Sequence, residues 1–106
     1  MCFASIRWLE VEEEVIRLKA LRITVYGYVQ GVGFRSFARR HALALRINGF
    51  VRNMPDGSVQ IVAEGDEKSL DEFLKLVSRG PFMARVDRVE TEEVPVSGYG
   101  GFRIEF

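Results

Sequence analysis

Hydrophobic and polar residues follow strand-like and helical periods along most of this chain. Ile23, Val25 and Val29 share one face of an alternating stretch, which predicts a first strand over residues 21 to 29. Apolar residues at steps of three and four then predict a helix over residues 34 to 45, and they are Phe34, Phe37, Ala38, Ala42 and Leu45. The pattern therefore opens with a strand that leads into a helix.

Two further strands follow, joined by a tight turn. Residues 48 to 54 and 58 to 64 have strand-like patterns, with Pro55, Asp56 and Gly57 in the turn between them. Proline presets the backbone of a turn and glycine readily takes a positive φ, so we expect a hairpin here.

The clearest helical pattern of the chain lies between Asp66 and Gly80. Asp66 is a residue type that caps helix N-termini, while Gly80 and Pro81 are typical of a helix end. The apolar stripe between them consists of Leu70, Phe73, Leu74 and Val77. Beyond this helix, Val86 and Val89 do not alternate strictly, which predicts a bulge or an edge strand.

Residues 102 to 106 alternate cleanly and predict a short final strand. The element order is then βαββαβ with a short extra C-terminal strand. Right-handed crossovers place both helices on one face of an antiparallel sheet, so we expect an α+β fold of the ferredoxin-like type. Many unrelated functions use this fold, and no activity follows from it.

Residues 1 to 20 precede this pattern, and we expect the domain to comprise residues 21 to 106. The apolar residues of the N-terminal extension recur at helical spacing, namely Trp8, Val11, Val15 and Leu18. A short amphipathic helix or a disordered extension both fit, because short helices are marginal in water without tertiary packing. We assign no chemistry to this extension.

Composition narrows the classes of function. A chain of 106 residues has room for one domain, and its fifteen basic and fifteen acidic residues give a formal net charge of zero. Proteins that bind nucleic acids are usually basic, so none is expected as a partner. Cys2 is the only cysteine, which favours the reducing cytoplasm. No stretch predicts a secretory signal or a membrane-spanning helix, so no membrane partner is expected.

Residues 30 to 35, which we call the cradle loop, carry the candidate chemistry. Gly31 and Gly33 lie between the first strand and the first helix, and Arg35 follows in the first helical turn. Glycines allow successive N–H groups to surround an anion, and a helix N-terminus adds unpaired donors. The arginine fork matches phosphate oxygens. The loop thus predicts a phosphate cradle, with a purely structural turn as the alternative.

A motif over residues 29 to 35, VQGVGFR, resembles the first signature of the acylphosphatase family. Three further pieces of the chain together resemble a second signature of that family. They are GFVRN at residues 49 to 53, GSV at residues 57 to 59 and then Gly65. The resemblance covers about residues 21 to 106. It implies the ferredoxin-like fold and the hydrolysis of acyl phosphates to a carboxylate and inorganic phosphate.

The resemblance also implies which residues act. Arg35 would bind the phosphoryl group and Asn53 would hold the attacking water. Backbone N–H groups of the cradle loop would surround the phosphate oxygens, and they belong to Gln30, Gly31, Val32, Gly33, Phe34 and Arg35. We expect no cofactor and no metal site, because the chain has one histidine, no cysteine pair and no cluster of carboxylates.

Some alternatives stay open at this point. Asn53 precedes a turn, so turn structure alone would account for it. His41 falls on the apolar helix face, which is typical of a packed core residue. A non-catalytic phosphate- or RNA-binding module of the same fold remains the rival function. Phe50 lies on a predicted strand, but the basic-aromatic sequence pattern of RNA-binding sheets is missing there. We expect a small acyl phosphate as substrate and a monomer, with self-association through residues 1 to 20 as the alternative.

Arg46 departs from the family pattern, which usually has a glycine where the first helix ends. An arginine forced into a left-handed conformation there would cost on the order of 1 kcal/mol. This departure concerns stability more than activity.

Overall fold

The computed structural model describes residues 17 to 106, and the predicted helical positions Trp8, Val11 and Val15 lie outside them. The elements run in the order β1 (Leu18–Tyr28), α1 (Phe34–Ala44), β2 (Asn48–Asn53), β3 (Val59–Asp66), α2 (Glu67–Arg79), β4 (Arg85–Val94) and β5 (Phe102–Glu105). The predicted order of strands and helices, with its short final strand, is confirmed.

The five strands form one sheet in the order β4-β1-β3-β2-β5. β1 pairs antiparallel with β3 and β4, and β2 pairs antiparallel with β3, as predicted. β5 pairs parallel with β2, so the sheet is mixed and not wholly antiparallel. The reason is topological: β4 ends where β2 begins, and a loop that stays at this end of the sheet must start β5 in the direction of β2.

β1 begins three residues earlier than its sequence pattern predicts. Leu18 lies opposite Asp66 in the pairing of β1 with β3, so it belongs to a strand and does not continue a helical stripe. Leu18 is exposed and Lys19 is half-buried, and this part of the strand therefore shows no hydrophobic alternation that the sequence could reveal.

Both helices pack on the same face of the sheet. α1 has eleven residues and lies over β2 and β5, while α2 has thirteen and lies over β1, β3 and β4. Within residues 17 to 106, neither the length nor the hydropathy of any helix suffices to cross a membrane. The core between the layers includes the fully buried side chains Ile23, Val25, Phe34, Val51, Ile61, Leu70, Phe73 and Val77. Each buried side chain of this size stabilises the fold by about 1.5–3 kcal/mol.

β4 forms one edge of the sheet, and its pairing with β1 is irregular. The register shifts between Tyr26 and Gly27 and leaves Asp87 without a partner on β1. Because of this extra residue, Val86 and Val89 both pack against the core. The predicted bulge and the predicted edge position are both confirmed. The charged residues of this strand are Arg85, Asp87, Arg88, Glu90, Glu92 and Glu93.

Arg46 follows α1 with a φ of 58°, and it is the one non-glycine residue with a positive φ in the described part of the chain. The N–H of Arg46 donates to the carbonyl of Leu43, and the N–H of Ile47 donates to the carbonyl of Ala42 at 2.8 Å. These bonds satisfy carbonyls at the helix end, as a left-handed C-terminal residue usually allows. The left-handed conformation that the sequence raised as a possibility for Arg46 is thus present.

Candidate active site

The cradle loop and Asn53 lie at the same end of the sheet. β1 ends at Tyr28 and leads directly into the loop, while β2 ends at Asn53. Val25 on β1 and Asn53 on β2 both pair with Val59 of the intervening strand β3. β1 and β2 therefore run in the same direction on either side of β3, and their C-terminal ends lie at the same end of the sheet.

The backbone of the cradle loop has the geometry of an anion-binding nest. Gly31 has a φ of 76° and Gly33 a φ of 77°, whereas Val32 between them has no positive φ. Such alternation turns neighbouring N–H groups towards one side. A Cβ built on either glycine would meet no other atom within 4 Å. The glycines are therefore required for their backbone angles and not for lack of space.

The backbone N–H groups of this loop are the candidate donors to an anion. Among the described residues, none from Gln30 to Arg35 donates its backbone N–H to a protein acceptor, and the first bond of α1 runs from Phe37 N–H to the Gly33 carbonyl at 3.0 Å. Phe34 is buried and Val32 packs against the core, which fixes the loop to the domain. Fixed, unpaired donors at a helix N-terminus make a binding site for an anion.

The two helices begin with opposite charges. Asp66 occupies the predicted N-cap position of α2, although its side chain makes no capping hydrogen bond, and Glu67 lies in the first turn. These carboxylates compensate the positive end of the α2 dipole. α1 has no acidic residue in its first turn and no side-chain cap, and it carries Arg35 there instead. Within residues 17 to 106, the positive charge at the start of α1 is therefore uncompensated.

Arg35 is half-buried, and its charge is not neutralised within residues 17 to 106. No acidic side chain of that range forms an ion pair with it. Its guanidinium carbon lies 4.7 Å from the centroid of the Phe106 ring. An arginine held on an aromatic ring keeps its hydrogen-bond donors available for phosphate oxygens.

Asn53 ends β2 with an unsatisfied side chain. Its Oδ1 is buried and has no hydrogen-bond partner among the described residues. A buried acceptor without a partner costs about 1–3 kcal/mol, and such an atom in a site commonly accepts from water or a ligand. This oxygen therefore takes no part in holding the adjacent turn.

Other residues hold the turn between β2 and β3. The Asp56 carboxylate accepts from the Ser58 hydroxyl at 2.6 Å and from the Ser58 N–H at 3.0 Å. The hydroxyl contact first, and the backbone contact second, hold the pKa of Asp56 below its ordinary value of 3.8. The hairpin predicted around Pro55 and Gly57 is confirmed. Ser58 also stabilises this turn, although the sequence pattern did not identify it as a turn residue.

The side chain of Gln30 also reaches this hairpin. Its Nε2 donates to the carbonyl of Met54 at 2.8 Å and to the carbonyl of Ser58 at 2.9 Å. Sequence reasoning assigned only the backbone N–H of Gln30 to the site. A glutamine before a glycine has no feature in sequence that would predict a side-chain contact with a hairpin more than twenty residues away.

The remaining candidates have packing roles. His41 is half-buried and lies edge-on to Phe37, with ring centroids 4.5 Å apart, as expected for a packed helix face. Phe50 is half-buried, with the Tyr99 ring in a T-shaped arrangement at a centroid distance of 5.7 Å and the Arg52 guanidinium over its ring. Because neighbours cover its ring, Phe50 does not offer a free stacking surface of the kind that binds RNA bases.

The opposite end of the sheet contains a cavity of about 450 Å³, lined by residues that include Leu18, Leu45, Asn48, Val96 and Tyr99. Buried Glu64 lies beside it and accepts hydrogen bonds from the N–H groups of Ser97, Gly98 and Tyr99. Glu64 thereby anchors the loop that leads into β5. Within residues 17 to 106, no group of three or more His, Cys, Asp or Glu residues is placed to hold a metal ion.

Comparisons with known proteins identify the family of this chain. The family model described as Acylphosphatase matches residues 21–104. The acylphosphatase of Thermotoga maritima is 53% identical over 89 residues, which cover 84% of this chain and 99% of the relative. The solved acylphosphatase of Bacillus subtilis superposes with a TM-score of 0.81 at 37% identity, covering 85% of this chain and 100% of that one.

The same domain also resembles a small part of a longer protein. T. kodakarensis HypF matches with a TM-score of 0.72 at 42% identity, over 83% of this chain but only 12% of that one. The relatives covered nearly in full are free-standing acylphosphatases, and the match to them confirms the expected fold. This chain therefore belongs to the acylphosphatase family and is an enzyme that hydrolyses acyl phosphates.

Proposed function

We propose that this enzyme hydrolyses small acyl phosphates by in-line attack of one water molecule on phosphorus. Arg35 and the N–H groups of the cradle loop bind the phosphoryl group, and Asn53 orients the water. One observation supports this assignment above the others: the buried Oδ1 of Asn53 has no partner among the described residues. Asn53 directly precedes Met54, whose carbonyl accepts a hydrogen bond from the Gln30 side chain. Gln30 belongs to the cradle loop, whose N–H groups have no acceptor among the described residues.

The phosphoryl group supplies hydrogen-bond acceptors for the N–H donors of the cradle loop. Its non-bridging oxygens accept hydrogen bonds from the N–H groups of residues 30 to 35 and from the Arg35 guanidinium. Charge on these oxygens changes as the bond to the leaving group breaks, and donors that are already in place stabilise it without reorganisation. Binding of the phosphoryl group and stabilisation of the transition state are then carried out by the same groups.

The water lies on the side of phosphorus opposite the leaving group. The Oδ1 of Asn53 accepts one of its hydrogen bonds, which directs an oxygen lone pair towards phosphorus. A bond forms between the water oxygen and phosphorus while the bond from phosphorus to the acyl oxygen breaks. The carboxylate leaves with the bonding electron pair, and it needs no acid because it is a weak base. An amide takes no proton at neutral pH, so the water proton passes to a phosphoryl oxygen.

The site recognises the acyl part of the substrate less closely than the phosphate. Gly31 and Gly33 are exposed, and the space in front of them is open. The enzyme therefore accepts acyl phosphates that differ in their acyl group.

We place the reaction in the cytoplasm, where the single cysteine Cys2 stays reduced. A monomer suffices, because one chain supplies Arg35, the cradle loop and Asn53.

The test is the release of phosphate from benzoyl phosphate in the presence of a chelator. We expect full activity in the wild type and a loss of about 10²–10³-fold in kcat/KM for both Arg35→Ala and Asn53→Ala. Arg35→Ala should also weaken inhibition by inorganic phosphate, whereas Asn53→Ala should leave it unchanged. Arg40→Ala, on an exposed face of α1, and Asn48→Ala, at the exposed start of β2, are matched controls and should remain active.

Three results would contradict the proposal. Full activity in Asn53→Ala would return this residue to a structural role and leave the water without a partner. Loss of wild-type activity with the chelator would mean that a metal ion takes part. A bell-shaped pH profile of kcat centred near neutral pH would indicate a side chain that moves the proton.

A further inference from the structure

Gln30 makes contacts that the proposed reaction leaves unexplained. Both hydrogens of its side-chain amide are used, one on the Met54 carbonyl at 2.8 Å and one on the Ser58 carbonyl at 2.9 Å. These carbonyls already accept the N–H groups that close the hairpin, from Gly57 to Met54 and from Met54 to Ser58. The amide of Gln30 therefore completes the hydrogen bonding of the hairpin from outside it.

This contact joins the two halves of the site. Gln30 belongs to the cradle loop, which binds the phosphoryl group, and Met54 directly follows Asn53, which orients the water. In the described part of the chain, no other hydrogen bond connects residues 30 to 35 with residues 53 to 58. Besides the sheet ladder through Val59, this side chain is therefore the polar contact that fixes the end of β2 relative to the cradle loop.

We infer that the Gln30 side chain is a positioning residue for Asn53, and that it sets the approach of the water to phosphorus. The inference rests on the proposed role of Asn53. An attacking atom must lie within about 3–3.5 Å of its target and in line, and a displacement of about 1 Å can cost on the order of 10²-fold in rate. Gln30 itself contacts neither the water nor the substrate through its side chain.

The side chain and the backbone of Gln30 act separately in this scheme. The backbone N–H contributes to the nest and survives any side-chain substitution. A change of the side chain should therefore reduce kcat while phosphate binding stays as it is. A merely structural role in the hairpin would alter stability and would not single out kcat.

Gln30→Met is the first variant, because methionine has similar length and no donor. We expect kcat for benzoyl phosphate to fall about 10–100-fold, with KM and the inhibition constant of inorganic phosphate within about twofold of wild type. Gln60→Met is a matched control on β3, where the side chain accepts from Arg52 and from no other described residue, and it should keep wild-type kcat. Wild-type kcat in Gln30→Met would overturn the inference.

Gln30→Glu gives a second, pH-dependent measurement. An ionised carboxylate cannot donate to the two carbonyls and is repelled by them, so its pKa should lie above the ordinary value of about 4.3. Below that pKa the neutral acid donates one hydrogen bond. Relative to wild type, kcat of Gln30→Glu should therefore rise as the pH falls, whereas kcat of Gln30→Met should not. Equal pH profiles for the two variants would contradict a role for the donors.

A double-mutant cycle separates this inference from the proposed function. In an Asn53→Ala background, Gln30→Met should reduce kcat no further, because its effect passes through Asn53. Additive losses would overturn the inference and leave the role of Asn53 intact. If Asn53→Ala alone retained wild-type kcat, the proposed role of Asn53 would fail, and the positioning role of Gln30 would fail with it.

Discussion

Arg35 lies over the ring of Phe106, with its guanidinium carbon 4.7 Å from the ring centroid. The parallel pairing of β5 with β2 produces this contact. Glu105 pairs with Arg52, so the next residue, Phe106, reaches the same end of the sheet as Asn53. The last strand thus places an aromatic ring against Arg35, which lies in the first turn of α1.

Replacement of Phe106 by alanine should reduce activity modestly. A cation–π contact at an exposed position contributes about 0.5–1 kcal/mol, so we expect kcat/KM to fall roughly 2–5-fold as Arg35 becomes free to leave the site. Phe106→Tyr should keep wild-type kinetics. Phe82→Ala is the control, because Phe82 is equally exposed and no cation of residues 17 to 106 lies over its ring. An unchanged kcat/KM in Phe106→Ala would show that the ring does not hold Arg35.

Gly33→Ala should weaken phosphate binding. Its φ of 77° is unfavourable for alanine by about 1–2 kcal/mol, although the added methyl group meets no neighbour. The loop relieves this strain by turning its N–H groups away from the nest, which raises the inhibition constant of inorganic phosphate. Gly101→Ala carries similar strain at a φ of 80° on the loop before β5, and it should lower stability without changing that constant.

Arg46→Gly should stabilise the protein. Glycine adopts the φ of 58° without the steric cost that arginine carries, so we expect the free energy of unfolding to rise by about 0.5–1 kcal/mol in urea denaturation. Arg40→Gly, inside α1 with an ordinary helical backbone, should instead lower it by about 1 kcal/mol. Activity should be unaffected by Arg46→Gly. Destabilisation by this change would mean that the Arg46 side chain contributes more than its conformation costs.

Asp56 should titrate below its ordinary pKa of 3.8. The hydrogen bonds from Ser58 favour the ionised carboxylate, so their stabilising effect is fully present above that pH and is lost as the pH falls through the lower folded-state value. NMR titration of the Asp56 carboxylate measures this directly. Ser58→Ala removes the larger cause and should move the pKa back towards 3.8, whereas Ser78→Ala on α2 should leave it in place.

The fold was largely predictable because local patterns agreed with the overall packing. Ile23 and Val25 alternate on β1, Leu70 and Phe73 follow the buried face of α2, and both patterns describe the side of each element that is buried. β5 was predicted as a strand, but its direction depends on the path of the preceding loop. Periodicity within five residues contains no information on that path.

The site was predictable only in part for a related reason. Arg35 and Asn53 stand in motifs that resemble those of the family, so both could be named as candidates from the sequence. The contacts of Gln30 with Met54 and of Phe106 with Arg35 join residues from distant elements. Such contacts arise from strand register, which the sequence does not reveal before the sheet is assembled.

The charged outer edge of β4 also affects how copies of this protein meet in solution. With a formal net charge of zero, whole molecules have no long-range repulsion to keep them apart. An exposed strand could then template the pairing of one copy with another. Glu90, Glu92 and Glu93 would be brought beside equal charges in a parallel, in-register pair, and the bulge at Asp87 interrupts a regular ladder. The charges and the bulge of β4 therefore oppose edge-to-edge pairing through this strand without any net charge on the whole molecule.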